Sequence, residues 1–406
     1  MDDRPNNLRA MLAEAKNLSE LMIDLAYASV YFGSAEMAAE VGDLEDQMNE
    51  LVHDMREICV LAVRRPREAE GMSSVLQVVS AIERIANGAV DITRIMTHRL
   101  GIPTELVADL SEAAEVSHRV SLNAGSHMAG RPVSDFELPV AVGMRIVAIR
   151  RGRQWTTGVD GDFIMLADDV LFLRGSPDGI TRLRELAGAP VWDPPKPIET
   201  HFITDLDRAV DVLVEMKDLS EAAVGLAYSS LVLGNRGLAT EVHRIEQRLD
   251  DMNDKLEVWV LRAANEDLDP SPLRGLLRLA RVAEDLGDQA RQMTWVVEQG
   301  ESVHPILELA LGESDDVVVE LPIAAGSPAD GAALRDLQLN LEPGFTVLAV
   351  QRGQRYLYRP GGAEILVAGD QVIASGPDEG REHLAVKFGW RLLRDDESGD
   401  DELVPV

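Results

Sequence analysis

Along the first hundred residues the apolar positions recur in steps of three and four, the spacing of one helix face. Leu18, Leu21, Met22 and Leu25 carry this spacing through a first helix from about Asn7 to Phe32, closed by Gly33. Leu44, Met48, Leu51, Met55 and Ile58 carry a second as far as Arg64-Arg65-Pro66. Val75, Val78, Ile82, Ile85, Ala89, Ile92 and Met96 carry a third from about Gly71 to Leu100. Three long helices with narrow apolar seams predict a bundle. After a short helix near Thr104 to Ala113 the period changes to two, as strands require. Val116 to Leu122 reads as one strand, Arg145 to Arg150 with Gln154 to Gly158 as a hairpin, Asp169 to Arg174 as a further strand, and Asp178 to Ala187 as a closing helix.

The same order then runs again. The helical seams return as Ile245, Leu249, Met252, Leu256, Trp259 and as Leu276, Leu279, Ala283, Leu286, Ala290, Met293, Val297, between breaks at Gly234, Pro270 to Pro272 and Pro305. The strands return at Val317 to Leu321, Thr346 to Gln351, Tyr356 to Arg359 and Gln371 to Ser375, with a helix at about Glu379 to Lys387. Leu18-Ser19-Glu20 recurs as Leu219-Ser220-Glu221, Leu25-Ala26-Tyr27 as Leu226-Ala227-Tyr228, Gly143 as Gly344, Arg151-Gly152 as Arg352-Gly353 and Asp169 as Asp370, each 201 positions later. A repeat this long is a duplicated module and not a solenoid unit, so each copy should hold its own core.

The expected fold class is therefore α+β, as two tandem modules, each a three-helix bundle followed by a small α+β domain. The bundles fall at 6–102 and 201–302 and the α+β domains at 103–191 and 303–392. Between the copies, 192–200 is a linker in which Pro194, Pro195 and Pro197 exclude a helix or a central strand. The acidic tail 393–406 has too few apolar residues to pack and is expected to be disordered.

Charge narrows the choice of partners. Lys+Arg is 39 against Asp+Glu 70, a net −31, and a field of that sign repels phosphate backbones and anionic lipid heads, so neither nucleic acid nor a membrane surface is expected as a partner. Many carboxylates with few lysines resemble the proteins of salt-accumulating halophiles, archaeal ones among them. Cys59 is the single cysteine, which excludes an internal disulfide and agrees with a reducing cytoplasm. No apolar run approaches the roughly 18 residues of a membrane span, and the chain opens on no signal peptide, so a cytoplasmic protein without membrane insertion is expected. The eight histidines show no H-x-x-x-H and there is no C-x-x-C, so neither a zinc site nor a Cys-His nucleophile is supported and no enzyme is expected.

Two family resemblances cover nearly the whole chain. The helical segments resemble the PhoU family, most clearly at Glu284-Asp285-Leu286-Gly287-Asp288-Gln289-Ala290, which is similar to that family's acidic E-x-x-x-D helix motif; the first copy has Glu83-Arg84-Ile85-Ala86-Asn87 and departs at the second acid. The α+β segments resemble the TrkA C-terminal domain, also called the C-terminal domain of regulators of potassium conductance. Gly326-Ser327, Val347-Leu348-Ala349-Val350-Gln351-Arg352-Gly353, Gly369-Asp370-Gln371-Val372 and Gly376 carry that likeness. No G-x-G-x-x-G follows a strand, so the dinucleotide-binding half of a complete TrkA is missing. The resemblance implies a regulator of cation transport, potassium foremost, that senses a small ligand between paired domains and touches a membrane channel or transporter. The rival it implies is a metal-binding, PhoU-like regulator of phosphate uptake.

Candidate residues follow from both readings. Glu246 and Asp250, and Glu284 and Asp288, are spaced four apart on two helices, one residue past seam positions, where four carboxylates can converge on a divalent or iron-group metal ion. A solvated acidic face is the plainer alternative. The matching first-copy residues are Glu45, Asn49, Glu83 and Asn87, so a metal should prefer the second copy. Arg151 and Arg352 lie at hairpin tips, where a guanidinium can hold a phosphate or simply be an exposed turn residue. In relatives that bind cyclic di-AMP, a cyclic dinucleotide, the ligand lies near the segments corresponding to Gly143-Met144-Arg145-Ile146 and Gly344-Phe345-Thr346-Val347. An arginine slightly earlier in those relatives corresponds to Pro139 and Asn340 here. Pairing of the two copies within one chain, or a homodimer, is expected to build such a site.

Overall fold

The computed structural model describes residues 7–98, 115–192, 204–264, 270–300, 303–312, 314–353, 355–394 and 401–406, with single positions between 100 and 113. The expected short helix near Thr104 to Ala113 and the proline linker lie mostly outside them. The described chain forms two compact units, one gathering the helical segments of both copies and the other their sheets.

In the helical unit α1 (Leu8–Phe32), α2 (Ala35–Ala62) and α3 (Pro66–Thr97) form the first bundle, and α4 (Asp205–Leu233), α5 (Arg236–Ala263) and α6 (Ser271–Glu298) the second. The ends are set locally. Asn7 caps α1 by accepting from the Ala10 amide at 2.9 Å, Ser34 caps α2, and Thr204 with Asp207 closes a reciprocal capping box on α4. Pro66 opens α3 five residues before Gly71, because proline suits a first helical turn where no amide partner is needed. A helix the chain pattern did not suggest, Pro305–Leu311, packs against α1 and α4.

The seams face inward with one systematic shift. Leu44, Met48, Leu51 and Met55 are buried, but the next buried position is Cys59 and not Ile58; on α5 it is Val260 and not Trp259. An α-helix advances 3.6 residues per turn, so a pattern read in strict alternations of four and three drifts off the buried face within two heptads. The two bundles pack on each other through α3 and α6. A second seam is polar. Lys16 and Lys217, two of the five lysines, are buried, and each reaches a tyrosine of the other copy, 5.3 Å from the Tyr228 ring centre and 5.5 Å from that of Tyr27. Each ammonium also meets a carboxylate one turn on, Glu20 at 3.0 Å and Glu221 at 2.9 Å, and the Ser19 hydroxyl lies 3.2 Å from the Tyr228 hydroxyl. Among the described residues no helix is long and apolar enough to cross a membrane.

In the second unit β1 (Val116–Ser121), β2 (Met144–Arg151), β3 (Gln154–Thr157) and β4 (Val170–Gly175) form a sheet of order β1-β4-β2-β3. β5 (Asp316–Pro322), β6 (Thr346–Arg352), β7 (Arg355–Tyr358) and β8 (Gln371–Pro377) repeat that order as β5-β8-β6-β7. Both sheets carry a bulge at the same place in their second strand, between Ile146 and Ala148 and between Val347 and Ala349. Short helices at Ile180–Leu186 and Arg381–Lys387 close the two copies.

The acidic tail departs from expectation. β9 (Trp390–Arg394) and β10 (Asp401–Pro405) pair antiparallel, with Leu403 opposite Leu392, and both leucines pack with Trp390 on the core of the second sheet domain. Trp390 and Leu392 alternate along β9, and Leu403 stands opposite Leu392, so these three share one face of the hairpin and seat it on the core.

Candidate functional site

The carboxylates singled out on the second bundle sit where α5 and α6 come closest. Gly287 makes that approach possible, since a Cβ there would lie 2.5 Å from Cδ1 of Leu249 and 3.8 Å from Cα of Glu246. Oxygens of Glu246, Asp250 and Asp288 lie within 4.8 Å of one another. Glu284 is not among them; its Oε2 lies 3.0 Å from Nη1 of Arg281. Three carboxylates thus converge where four were expected, because the fourth turns along its own helix to a guanidinium.

The cluster is only partly neutralised. Arg291 donates to Oε1 of the buried Glu246 at 2.6 Å. The other oxygen, Oε2, is buried without a hydrogen bond, 3.5 Å from Nδ1 of His243, which also has none. Burial first, then the neighbouring acids, push the carboxyls of Asp250 and Glu284 above the usual range, and Asp288 shifts the same way through burial and Glu246. His243 has no second histidine four residues away, and its sequence signal is its place one turn before Glu246 on the same face. The three carboxylates offer hard oxygen ligands to a divalent cation, and His243 lies beside Glu246 outside that converging group. In the first bundle the places of Asp250 and Asp288 are taken by the exposed amides Asn49 and Asn87, and Glu83 is held by Arg56.

The second candidate region lies where the two α+β copies meet. A Cβ on Gly143 would stand 2.1 Å from the Asn340 carbonyl oxygen, and one on Gly344 would stand 2.2 Å from that of Pro139. These are equivalent contacts exchanged by the two copies, and both glycines have positive φ, 60° and 87°. Met144 and Phe345 are buried, Ile146 and Val347 half-buried, and Thr346 exposed. Arg145 crosses to the other copy and pairs with Asp316 at 2.7 Å, and Asn340 donates to the Ser176 hydroxyl at 3.2 Å. The expected segments therefore do converge, but protein backbone occupies the centre of their contact.

Arg151 and Arg352 do another job than the one expected of hairpin tips. Arg151 donates from Nε and Nη2 to both oxygens of the buried Asp169, at 2.8 and 2.7 Å, and from Nη2 to the Ile164 carbonyl. Arg352 repeats this on Asp370 and the Ile365 carbonyl with the same distances. Burial alone would raise the Asp370 carboxyl, but the bonds from Arg352 and from the Val367 amide outweigh it and hold the group below the usual range. These guanidiniums are committed to fastening a loop to the hairpin and are withdrawn from the ligand set. The recurrence of both arginine and aspartate at one offset, 18 residues apart in each copy, was the sequence trace of this clamp.

Comparison with known proteins agrees with the duplication. The TrkA-C domain matches residues 118–188 and 318–389, and the PhoU domain residues 12–96 and 213–294. No curated protein matches the chain significantly. Among solved structures, PhoU from Pseudomonas aeruginosa superposes at TM-score 0.38 and 15% identity, covering 75% of this chain and 94% of that one. The GsuK RCK domain superposes at TM-score 0.18 and 15% identity over 69% of this chain, and the GsuK channel bound to NAD at 0.18 and 12% over 75%. The chain spans 64% of each of these two GsuK chains.

Proposed function

The chain is a tandem of two PhoU domains alternating with two TrkA-C domains, both regulatory families, and from that premise we propose that it regulates a membrane cation channel or transporter, potassium foremost, by sensing a small ligand at its TrkA-C pair. The observation that supports this reading is the reciprocal contact of Gly143 with Asn340 and of Gly344 with Pro139, which assembles both TrkA-C copies into one unit within a single chain. A phosphate-bearing ligand within reach of 143–147 and 344–348 has to compete with the Arg145–Asp316 pair and part the two backbones. Its binding is then linked to a change in pairing, which is the differential affinity between two states that a regulator requires. Thr346 stands in the second copy where Arg145 stands in the first, so the two halves present different polar groups.

Calorimetry with cyclic di-AMP as first probe tests the reading. Arg145→Ala should weaken binding about tenfold, the scale of one charge-assisted contact. Asp316→Ala, which removes the competing carboxylate, should strengthen it. Equal affinity in wild type and both variants would remove Arg145 and this interface from the ligand's path.

A second reading is favoured by one observation, the convergence of Glu246, Asp250 and Asp288 beside an unbonded carboxylate oxygen and imidazole nitrogen. On it the second PhoU domain holds a divalent or iron-group ion and the protein regulates phosphate uptake. The metal would supply charge neutralisation that Arg291 now supplies in part. Titration with manganese in wild type and Asp288→Asn tests it: heat in the first and none in the second is expected, and no heat in either would dismiss it.

A further inference from the structure

Arg291 lies one turn beyond Asp288 on α6 and crosses to α5, where its Nη1 donates to Oε1 of Glu246 at 2.6 Å. Glu246 is 5% exposed, and its other oxygen, Oε2, is buried without a hydrogen bond. The guanidinium thus holds one oxygen of this carboxylate and leaves the second for a ligand. Its charge also reaches Asp250 and Asp288, where it opposes the upward shift of both carboxyls. Arg281 acts on Asp288 as well, but it brings its own carboxylates, Glu284 at 3.0 Å and Asp285 at 3.4 Å.

The first copy supplies the contrast. Glu45 stands there where Glu246 does, but Asn49 and Asn87 replace Asp250 and Asp288, and Val90 replaces Arg291. The two acids and the arginine are present together in one copy and absent together from the other, as expected of a cation whose task is to balance their charge. With the three carboxylates ionised and Arg291 beside them, the cluster holds two negative charges in excess. A divalent ion brings it to neutrality. A trivalent ion leaves one positive charge in excess against the buried Glu246, where it is poorly solvated.

We propose that Arg291 determines the valence specificity of this site, selecting a divalent over a trivalent ion by its charge. The inference rests on the reading of the second PhoU domain as a metal site and adds to it the class of ion that the site takes. A guanidinium one carboxylate away repels a bound ion in proportion to the ion's charge, so it disfavours a trivalent ion by one further unit of interaction. Selectivity of this kind comes from a repulsive element and needs no additional ligand. Arg291 acts through Glu246 and through its field, and is not itself a ligand.

Calorimetric titration of the full-length chain with manganese and, separately, with terbium tests the proposal in wild type, Arg291→Gln and Arg291→Lys, counting in each background only the binding that Asp288→Asn removes. Glutamine keeps a hydrogen-bond donor beside Glu246 without the charge, and lysine keeps the charge without the planar fork. The ratio of the two affinities cancels any change in the shape of the site that both ions feel. In Arg291→Gln it should move about tenfold toward terbium, the scale of one unit charge in a partly solvated setting. In Arg291→Lys it should stay near the wild-type value. An unchanged ratio in Arg291→Gln, or an equal shift in both variants, would reduce Arg291 to a structural role and overturn the proposal while the metal site stands. No Asp288-dependent binding of either ion, in wild type or variants, would overturn the metal reading itself and the proposal with it.

Discussion

The two copies of the module differ in a way that separates scaffold from specialisation. Where both partners of an interaction recur 201 residues apart, the interaction is built twice with the same geometry, as in Arg151–Asp169 and Arg352–Asp370 or the crossed pairs Lys16–Tyr228 and Lys217–Tyr27. Where only one copy keeps the residues, the chemistry is local to it. Asp250 and Asp288 face each other in copy two while Asn49 and Asn87 stand in their places in copy one, and Arg145 of copy one is replaced by Thr346 in copy two. Duplicated polar contacts hold the fold; diverged ones mark where the two copies differ in chemistry.

The largest expected effect tests the duplicated class. Asp169→Ala and Asp370→Ala should each destabilise by about 2 to 3 kcal/mol, below the usual cost of breaking a buried pair because the arginine side chains are half exposed and rehydrate. Urea melts should give the same loss for both within error, and a loss confined to one copy would break the equivalence.

Next in size is the metal response. At manganese about a hundredfold above its dissociation constant, stabilisation of roughly 2.7 kcal/mol is expected by mass action, read as a raised melting temperature that Asp288→Asn abolishes. Asn49→Asp with Asn87→Asp sharpens the comparison. A second equivalent of metal would show that carboxylates suffice, and unchanged stoichiometry that the Gly287 approach and His243 are required.

The pH dependence should be smaller and of opposite sign in the two kinds of domain. Asp250, Glu284 and Asp288 are raised in the folded state, so the native protein binds their protons at higher pH than the unfolded chain does. Their contribution is fully present below the ordinary carboxylate range and is lost as pH rises through the raised values. Asp370 is lowered, so its contribution is present above that range and lost as pH falls through its depressed value. Melts from pH 3 to 7 should therefore show Asp288→Asn flattening the first trend and Arg352→Ala the second. The smallest effect is that of Arg145→Ala, about 0.5 to 1 kcal/mol for a half-exposed pair, with Thr346→Ala near zero.

Much of this was legible along the chain. The six long helices, the eight principal strands and the duplication follow from apolar periods of 3.6 and 2 and from capping residues such as Asn7, Thr204 and Gly33, because these are local properties of a few neighbouring residues. The carboxylate spacing on α5 and α6 was equally local; of the four acids it expected to converge, Glu246, Asp250 and Asp288 do, and Glu284 turns to Arg281 instead. The misread elements have a common cause. Cys59 replaces Ile58 in the seam by accumulated helical drift, β10 exists because a partner strand completes its ladder, and Arg151 and Arg352, still half exposed, pair with aspartates 18 residues away.

The sequence by itself determined the repeat, the elements of each copy and the chemical inventory of every candidate site. Only the tertiary structure decided which of those groups meet. The Arg145–Asp316 pair, the Gly143–Asn340 and Gly344–Pro139 contacts and the crossed lysines all join residues more than 150 positions apart. Periodicity reports which face of an element is buried but not against what, and a charge shows its availability only once its nearest opposite charge is known.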